Sequence, residues 1–197
     1  MRLKTTRWAL AYWLLLGLLP VLSHRTKAQT TPTQTLTFAA LADTYVDAGS
    51  ATTNFNSAVD LAADASPVRV IYLRFAVTGV NGRSVQRARL RLQVSSASTV
   101  GGTVHKISNT TWNEATLTSS NAPAVDGPGL FTLGSVTAGA VVEFTLDPAI
   151  TADGVYSFGI DSTSSADMCH HLWLRPCRRD SGGAGSAGSP VSHRSTM

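Results

Sequence analysis

The sequence predicts an all-β sandwich or barrel, on three observations: apolar residues alternating with period two, turn clusters between the alternating runs, and no long amphipathic helix. In the first run Leu36, Phe38 and Ala40 alternate with Thr37 and Ala39. Ile71, Leu73, Phe75 and Val77 alternate with Tyr72, Arg74 and Ala76, and Ala88, Leu90, Leu92 and Val94 with Arg87, Arg89, Arg91 and Gln93. Val142, Phe144 and Leu146 alternate with Glu143 and Thr145, and Val155-Tyr156-Ser157-Phe158-Gly159-Ile160 is a further strand. Successive strand side chains point to opposite faces, so each run has one face for the core and one for water. Asp47-Ala48-Gly49-Ser50, Val80-Asn81-Gly82-Arg83, Val100-Gly101-Gly102, Asp126-Gly127-Pro128-Gly129 and Ala152-Asp153-Gly154 separate the runs. Asp147-Pro148-Ala149-Ile150-Thr151 alone reads as helical, with Asp147 as N-cap and Pro148 in first position, and it is one turn long. There is no internal repeat.

The two ends differ from this body. Arg2, Lys4 and Arg7 precede an apolar run from Trp8 to Leu22, and a polar stretch ends at Ala28. A basic start, a short apolar run and a small residue make a secretory signal peptide over residues 1–28, with Val21-Leu22-Ser23 as a second candidate cut. The alternative is an uncleaved anchor, for which the run is short against a hydrocarbon core of roughly 30 Å. Residues 29–35 read as a polar linker, and the expected location is extracellular, with no membrane contact after cleavage.

The formal charge of +4 comes from these ends. Residues 1–28 hold five basic side chains and no acid, and the chain beyond Met168 holds four Arg against Asp180 alone. Between Gln29 and Asp167 seven basic residues stand against eleven acidic ones. The mature body is mildly acidic, and it lacks the basic, aromatic-interleaved surface that single-stranded nucleic acid needs. Both cysteines, Cys169 and Cys177, also lie outside the body. An exported domain of about 140 residues can rely on its hydrophobic core without disulfides.

Residues 166–197 change composition abruptly, from Met168-Cys169-His170-His171-Leu172-Trp173 to a Gly/Ala/Ser stretch. Two Cys and two His could hold zinc, but histidines directly following Cys169 do not have the spacing of a tetrahedral site. A disordered tail, read from a shifted frame of the gene, fits the composition better.

Ala42-Asp43-Thr44-Tyr45-Val46-Asp47, then Thr53-Asn54-Phe55-Asn56 and Leu61, resemble the start of the DNRLRE-type domain, carbohydrate-binding module family 96. Tyr72-Leu73-Arg74-Phe75, Ala88-Arg89-Leu90-Arg91-Leu92, Trp112-Asn113-Glu114-Ala115-Thr116-Leu117, Asn121-Ala122-Pro123 and Tyr156-Ser157-Phe158-Gly159-Ile160 continue the resemblance in order, over residues 36–165. The resemblance implies an antiparallel jelly-roll-like β-sandwich on a secreted protein and an acidic, alginate-type polysaccharide as partner. It also implies that the sandwich lacks its last strand, because the family's closing segment is missing where the tail begins. No catalytic domain, often a companion of such modules, is expected beside it.

Alternation puts Leu73, Phe75, Leu90 and Leu92 inward, so Arg74, Arg89 and Arg91 should project from the outer face as a cationic stripe. Planar guanidinium groups pair bidentately with carboxylates, which suits a uronic-acid-rich polysaccharide. Lys106, with His105, could extend the stripe, and Tyr72 or Trp112 could stack on a sugar ring. The competing readings are that the arginines are solvated strand positions and that Trp112 fills the core. Asp43, Asp47 and Asp60, with Asn54 and Asp64, form an oxygen-rich group that could hold a structural calcium, although turn formation accounts for most of such residues.

Enzymatic activity is not expected. The body has one histidine, His105, no cysteine and no Gly-x-Ser-x-Gly elbow, and nothing brings Glu114 and Glu143 together as a carboxylate pair. Two functions from different classes fit: a monomeric carbohydrate-binding module, or a structural or adhesive surface domain without a sugar ligand.

Overall fold

A computed structural model describes residues 33–165 and the strand at residues 168–171. The expectations for the signal peptide, most of the linker and residues 172–197 fall outside the described residues. The folded unit begins at Leu36.

Among the described residues nine strands form the domain: β1 (Ala42–Asp47), β2 (Leu61–Ala65), β3 (Val68–Val77), β4 (Arg89–Val94), β5 (Thr103–Ile107), β6 (Gly129–Thr132), β7 (Val141–Thr145), β8 (Gly154–Asp161) and β9 (Met168–His171). A 3-10 turn, Ala48–Ser50, follows β1 and is capped by Asp47, which accepts the Gly49 N–H at 2.7 Å. Every pairing is antiparallel, and the order is β6-β5-β8-β3-β2-β9-β4-β7, with β1 on the other edge of β3. β2 joins two sheets. Its end pairs with β3 through Asp64 and Ala65, and its beginning pairs with β9 through Leu61, Ala62 and Ala63. The first sheet contains β6, β5, β8, β3 and β1, and the second contains β9, β4 and β7.

The inward rows of the two sheets meet in the main core. Ile71, Leu73, Val104, Phe158 and Ile160 of the first sheet pack with Leu90, Leu92, Val94 and Phe144 of the second. Phe144 and Leu92 are fully buried, and each such side chain contributes roughly 1.5–3 kcal/mol by leaving water. The alternation read in β3, β4, β7 and β8 therefore has its expected physical cause.

A second core lies on the outer face of the first sheet. Tyr72, Ala42, Val46 and Ile107 pack there beneath Trp112 and Leu117, which belong to the irregular segment between β5 and β6. β3 is thus covered on both faces.

Three local expectations are corrected. Leu36-Phe38-Ala40 forms no strand: the chain makes its outermost bond to β3 at Leu41, whose N–H donates to Arg74 O at 2.7 Å, and β1 starts at Ala42. Asp147-Pro148 closes a turn, with Ala149 N–H on Leu146 O at 2.7 Å, and opens no helix. The Asp147 carboxylate is taken by the Ala88 N–H at 2.6 Å and does not act as an N-cap. Finally, the sandwich does not lack a strand between β2 and β4, and the tail is not wholly irregular. Met168–His171 occupies that lane as β9, pairing with Leu61–Ala63 on one side and with Gln93 and Val94 on the other. Ladder bonds use backbone groups that every non-proline residue has, so an unpaired lane can be filled by a segment without apolar alternation.

Candidate functional site

The outer face of the second sheet carries Arg89, Arg91 and Gln93 on β4, because Leu90, Leu92 and Val94 turn into the core. β7 lies beside it in register, with Arg91 opposite Glu143 and Arg89 opposite Thr145. Glu143 therefore stands between the two guanidinium groups. Arg89 Nη1 donates to Glu143 Oε2 at 2.5 Å, and Arg91 Nε lies 3.2 Å from Oε1. The side chains remain 47%, 58% and 37% exposed for Arg89, Arg91 and Glu143, so solvent or a ligand reaches all three. Arg87, two residues earlier, is exposed as well. The patch presents planar N–H donors and an excess of positive charge, suited to carboxylate oxygens.

Arg74 is not part of this face. It belongs to β3 in the first sheet, so its outward direction is opposite to that of Arg89 and Arg91. The expected stripe of three is corrected to a pair, because sheet membership depends on strand pairing that alternation cannot specify. Arg74 is also half-buried. Its Nη1 donates to Trp112 O at 2.5 Å and to Thr110 O at 3.3 Å, and its Cζ sits 5.2 Å from the Trp112 ring centre. Its Nε is buried with no hydrogen-bond partner. Arg74 thus ties the segment between β5 and β6 to the sheet.

Tyr72 is likewise a core residue, 3% exposed, and not an open stacking platform. Its ring meets Trp112 edge-on at 5.9 Å, and its hydroxyl donates to Pro123 O at 2.7 Å. Burial pushes the Tyr72 hydroxyl pKa above its ordinary value. Trp112 is buried too, and its indole N–H donates to Ser157 Oγ at 3.1 Å. The core-filling reading of Trp112 describes it. Lys106 is exposed on β5 of the first sheet, with Nζ 5.8 Å from the Tyr156 ring centre, and does not extend the Arg89–Arg91 pair. His105 meets Asp161 at 3.3 Å and Gly127 O at 3.2 Å.

The proposed calcium ligands are not gathered. Among the described residues no group of three or more His, Cys, Asp or Glu side chains could hold a metal ion. Asp47 caps Gly49 and pairs with Arg69 Nε at 2.8 Å, Asp64 accepts the Ser66 N–H at 3.1 Å, and Asp60 is buried. The backbone N–H of Asp43 donates to Glu114 Oε2 at 2.9 Å. The Asp47 and Asp64 contacts are the turn-forming and ion-pairing uses of Asp. Glu114 beside β1 and Glu143 on the second sheet do not face each other.

Sequence reasoning did not single out a shallow depression of about 220 Å³ above the second core. Asn109, Thr111, Trp112, Asn113, Thr116 and Asn121 line it. The segment carrying them is held to the body by Arg74, by the Trp112 indole and by Asn54, whose Nδ2 donates to Glu114 O at 2.6 Å and Leu117 O at 2.7 Å. At its far end Asp126 accepts the Ser108 N–H at 2.9 Å and the Ser108 hydroxyl, which together hold its carboxyl below the usual carboxylate range. The only signal in the sequence was the cluster of Asn and Thr around Trp112, which reads equally well as an ordinary loop.

The family model for carbohydrate-binding module family 96 matches residues 34–172, more than half of the chain. That span contains all nine strands and ends just after β9. No curated protein matches the chain significantly.

Proposed function

The chain belongs to carbohydrate-binding module family 96, and on that premise we propose that it is a secreted, non-catalytic module binding an acidic polysaccharide across Arg89 and Arg91. One observation carries this reading: two exposed guanidinium groups on the same strand face share a single carboxylate, Glu143. A uronic-acid chain laid across β4 and β7 can take over their N–H groups. The exchange is favourable because the pairs it opens are exposed and worth only about 0–1 kcal/mol each. A charge-assisted contact to a ligand carboxylate is worth roughly 1.5–3 kcal/mol. The basic, apolar and small-residue succession in residues 1–28 supports export, where such polymers are met.

The test is affinity electrophoresis of the purified protein through gels containing alginate, pectate or neutral starch. Retardation by alginate or pectate should weaken with added salt, and Arg89→Ala and Arg91→Ala should each reduce it about tenfold or more. Salt-independent retardation, or variants retarded like the wild type, would remove the arginine pair from the binding surface. No retardation in any gel would favour a structural or adhesive domain instead.

A further inference from the structure

We propose that the depression between Asn109 and Asn121 is a second glycan-contact site, built for the hydroxyl groups of a neutral sugar. It lies on the opposite face of the sandwich from Arg89 and Arg91. The placement follows from the two cores: Trp112 and Leu117 cover the outer face of the first sheet, whereas Arg89 and Arg91 leave the outer face of the second. The inference rests on the sugar-binding reading but not on the arginine pair or on an acidic ligand.

No side chain lining the depression is ionisable. Its polar groups are amides and hydroxyls, and two of the amides are held in known orientations. Asn109 Oδ1 accepts the Thr111 N–H at 2.9 Å, and Asn113 Oδ1 accepts the Ala115 N–H at 2.9 Å. A backbone N–H can only donate, so these bonds identify the carbonyl end of each amide. The Nδ2 groups of Asn109 and Asn113 have no protein acceptor among the described residues. Asn121 differs: its Oδ1 accepts from Thr118 N–H at 2.7 Å and its Nδ2 donates to Thr116 O at 2.9 Å, so it frames the site. Thr111 Oγ1 lies 3.3 Å from Asn109 Oδ1 as donor, which leaves its oxygen able to accept.

Donors on Asn109 and Asn113 beside an acceptor on Thr111 complement a hydroxyl, which both accepts and donates. A carboxylate accepts only and would leave the acceptor unmatched. The anchored amides also lose little freedom when a ligand arrives, which lowers the cost of binding. The volume is below the roughly 300–1,000 Å³ of drug-sized ligand pockets, which suits one sugar ring of a longer chain.

The test uses the whole chain, labelled with 15N, titrated with mannopentaose and with cellopentaose at high salt. At least one of these neutral probes should shift the side-chain NH2 resonances of Asn109 and Asn113, and Arg89→Ala should leave that shift intact. Asn113→Asp retains the oxygen that accepts from Ala115 N–H but removes the donor. It should weaken binding at least about fivefold, the loss of one ordinary hydrogen bond, with the melting temperature unchanged. Silence of both amides with both probes, or wild-type affinity in Asn113→Asp, would overturn the proposal. Either failure leaves alginate retardation through Arg89 and Arg91 unaffected, so the two readings fail separately.

Discussion

Replacing Glu143 with Gln should tighten binding to an acidic polysaccharide. In the folded domain Glu143 occupies Arg89 Nη1 at 2.5 Å and Arg91 Nε at 3.2 Å, and it is the negative charge nearest the face a polyanion would approach. Two unit charges 4 Å apart interact by about 1 kcal/mol at the dielectric of water, and more near a protein surface. The amide keeps one oxygen that can accept, but loses the charge that holds both guanidinium groups and its repulsion of the ligand. A gain of about 1 kcal/mol corresponds to about fivefold tighter binding at low salt. The gain should shrink once the screening length falls to about 3 Å near 1 M salt. Stability should change little, because exposed pairs contribute about 0–1 kcal/mol each. Isothermal titration with alginate oligomers at two salt concentrations, beside thermal melts, measures both quantities. If Glu143→Gln binds as the wild type does, or more weakly, the arginine pair is not the ligand's docking point.

Three further outcomes are expected. Arg74→Ala should destabilise the domain by about 2–4 kcal/mol in urea titration, through lost bonds to Thr110 O and Trp112 O and the lost stacking on Trp112; a loss under about 1 kcal/mol would contradict its role as a brace. Burial raises the Tyr72 pKa, so above about pH 10 the unfolded chain ionises first and stability falls as pH rises toward the folded value. Tyr72→Phe should therefore lose less stability than the wild type between neutral and strongly alkaline pH, and an equal loss in both proteins would dismiss Tyr72 as a source of alkaline sensitivity. Ending the chain at Asp167 removes β9, unpairs Leu61–Ala63 and bares one edge of Gln93–Val94, so the shortened protein should melt lower and self-associate in light scattering; unchanged melting would show that β9 contributes nothing to the sandwich.

The alternation in β3, β4, β7 and β8 was legible because side-chain direction along a strand is a local property of the backbone. Leu73, Leu90, Leu92 and Phe144 are core residues for that reason alone. The family, too, could be recognised from motifs in order. Alternation names only two sides of a strand, however, and tells nothing of what covers each. Tyr72 is outward on β3 yet buried, and Arg74 half-buried, because the segment carrying Trp112 and Leu117 folds back over that face. Arg89 and Arg91 are outward on β4 and stay in solvent beside Glu143. Identical local patterns thus had opposite fates. Likewise Asp43 and Asp47 are close in sequence but are drawn into separate contacts, the Asp43 N–H with Glu114 of the Trp112 segment and the Asp47 carboxylate with Arg69 of β3. The lane between β2 and β4 went to Met-Cys-His-His, which has no strand pattern, because backbone hydrogen bonding is indifferent to side chains. Sequence by itself determined which residues enter the core and which family the domain resembles. Strand pairing between distant segments decided which charges share a surface, since that depends on contacts no local period encodes.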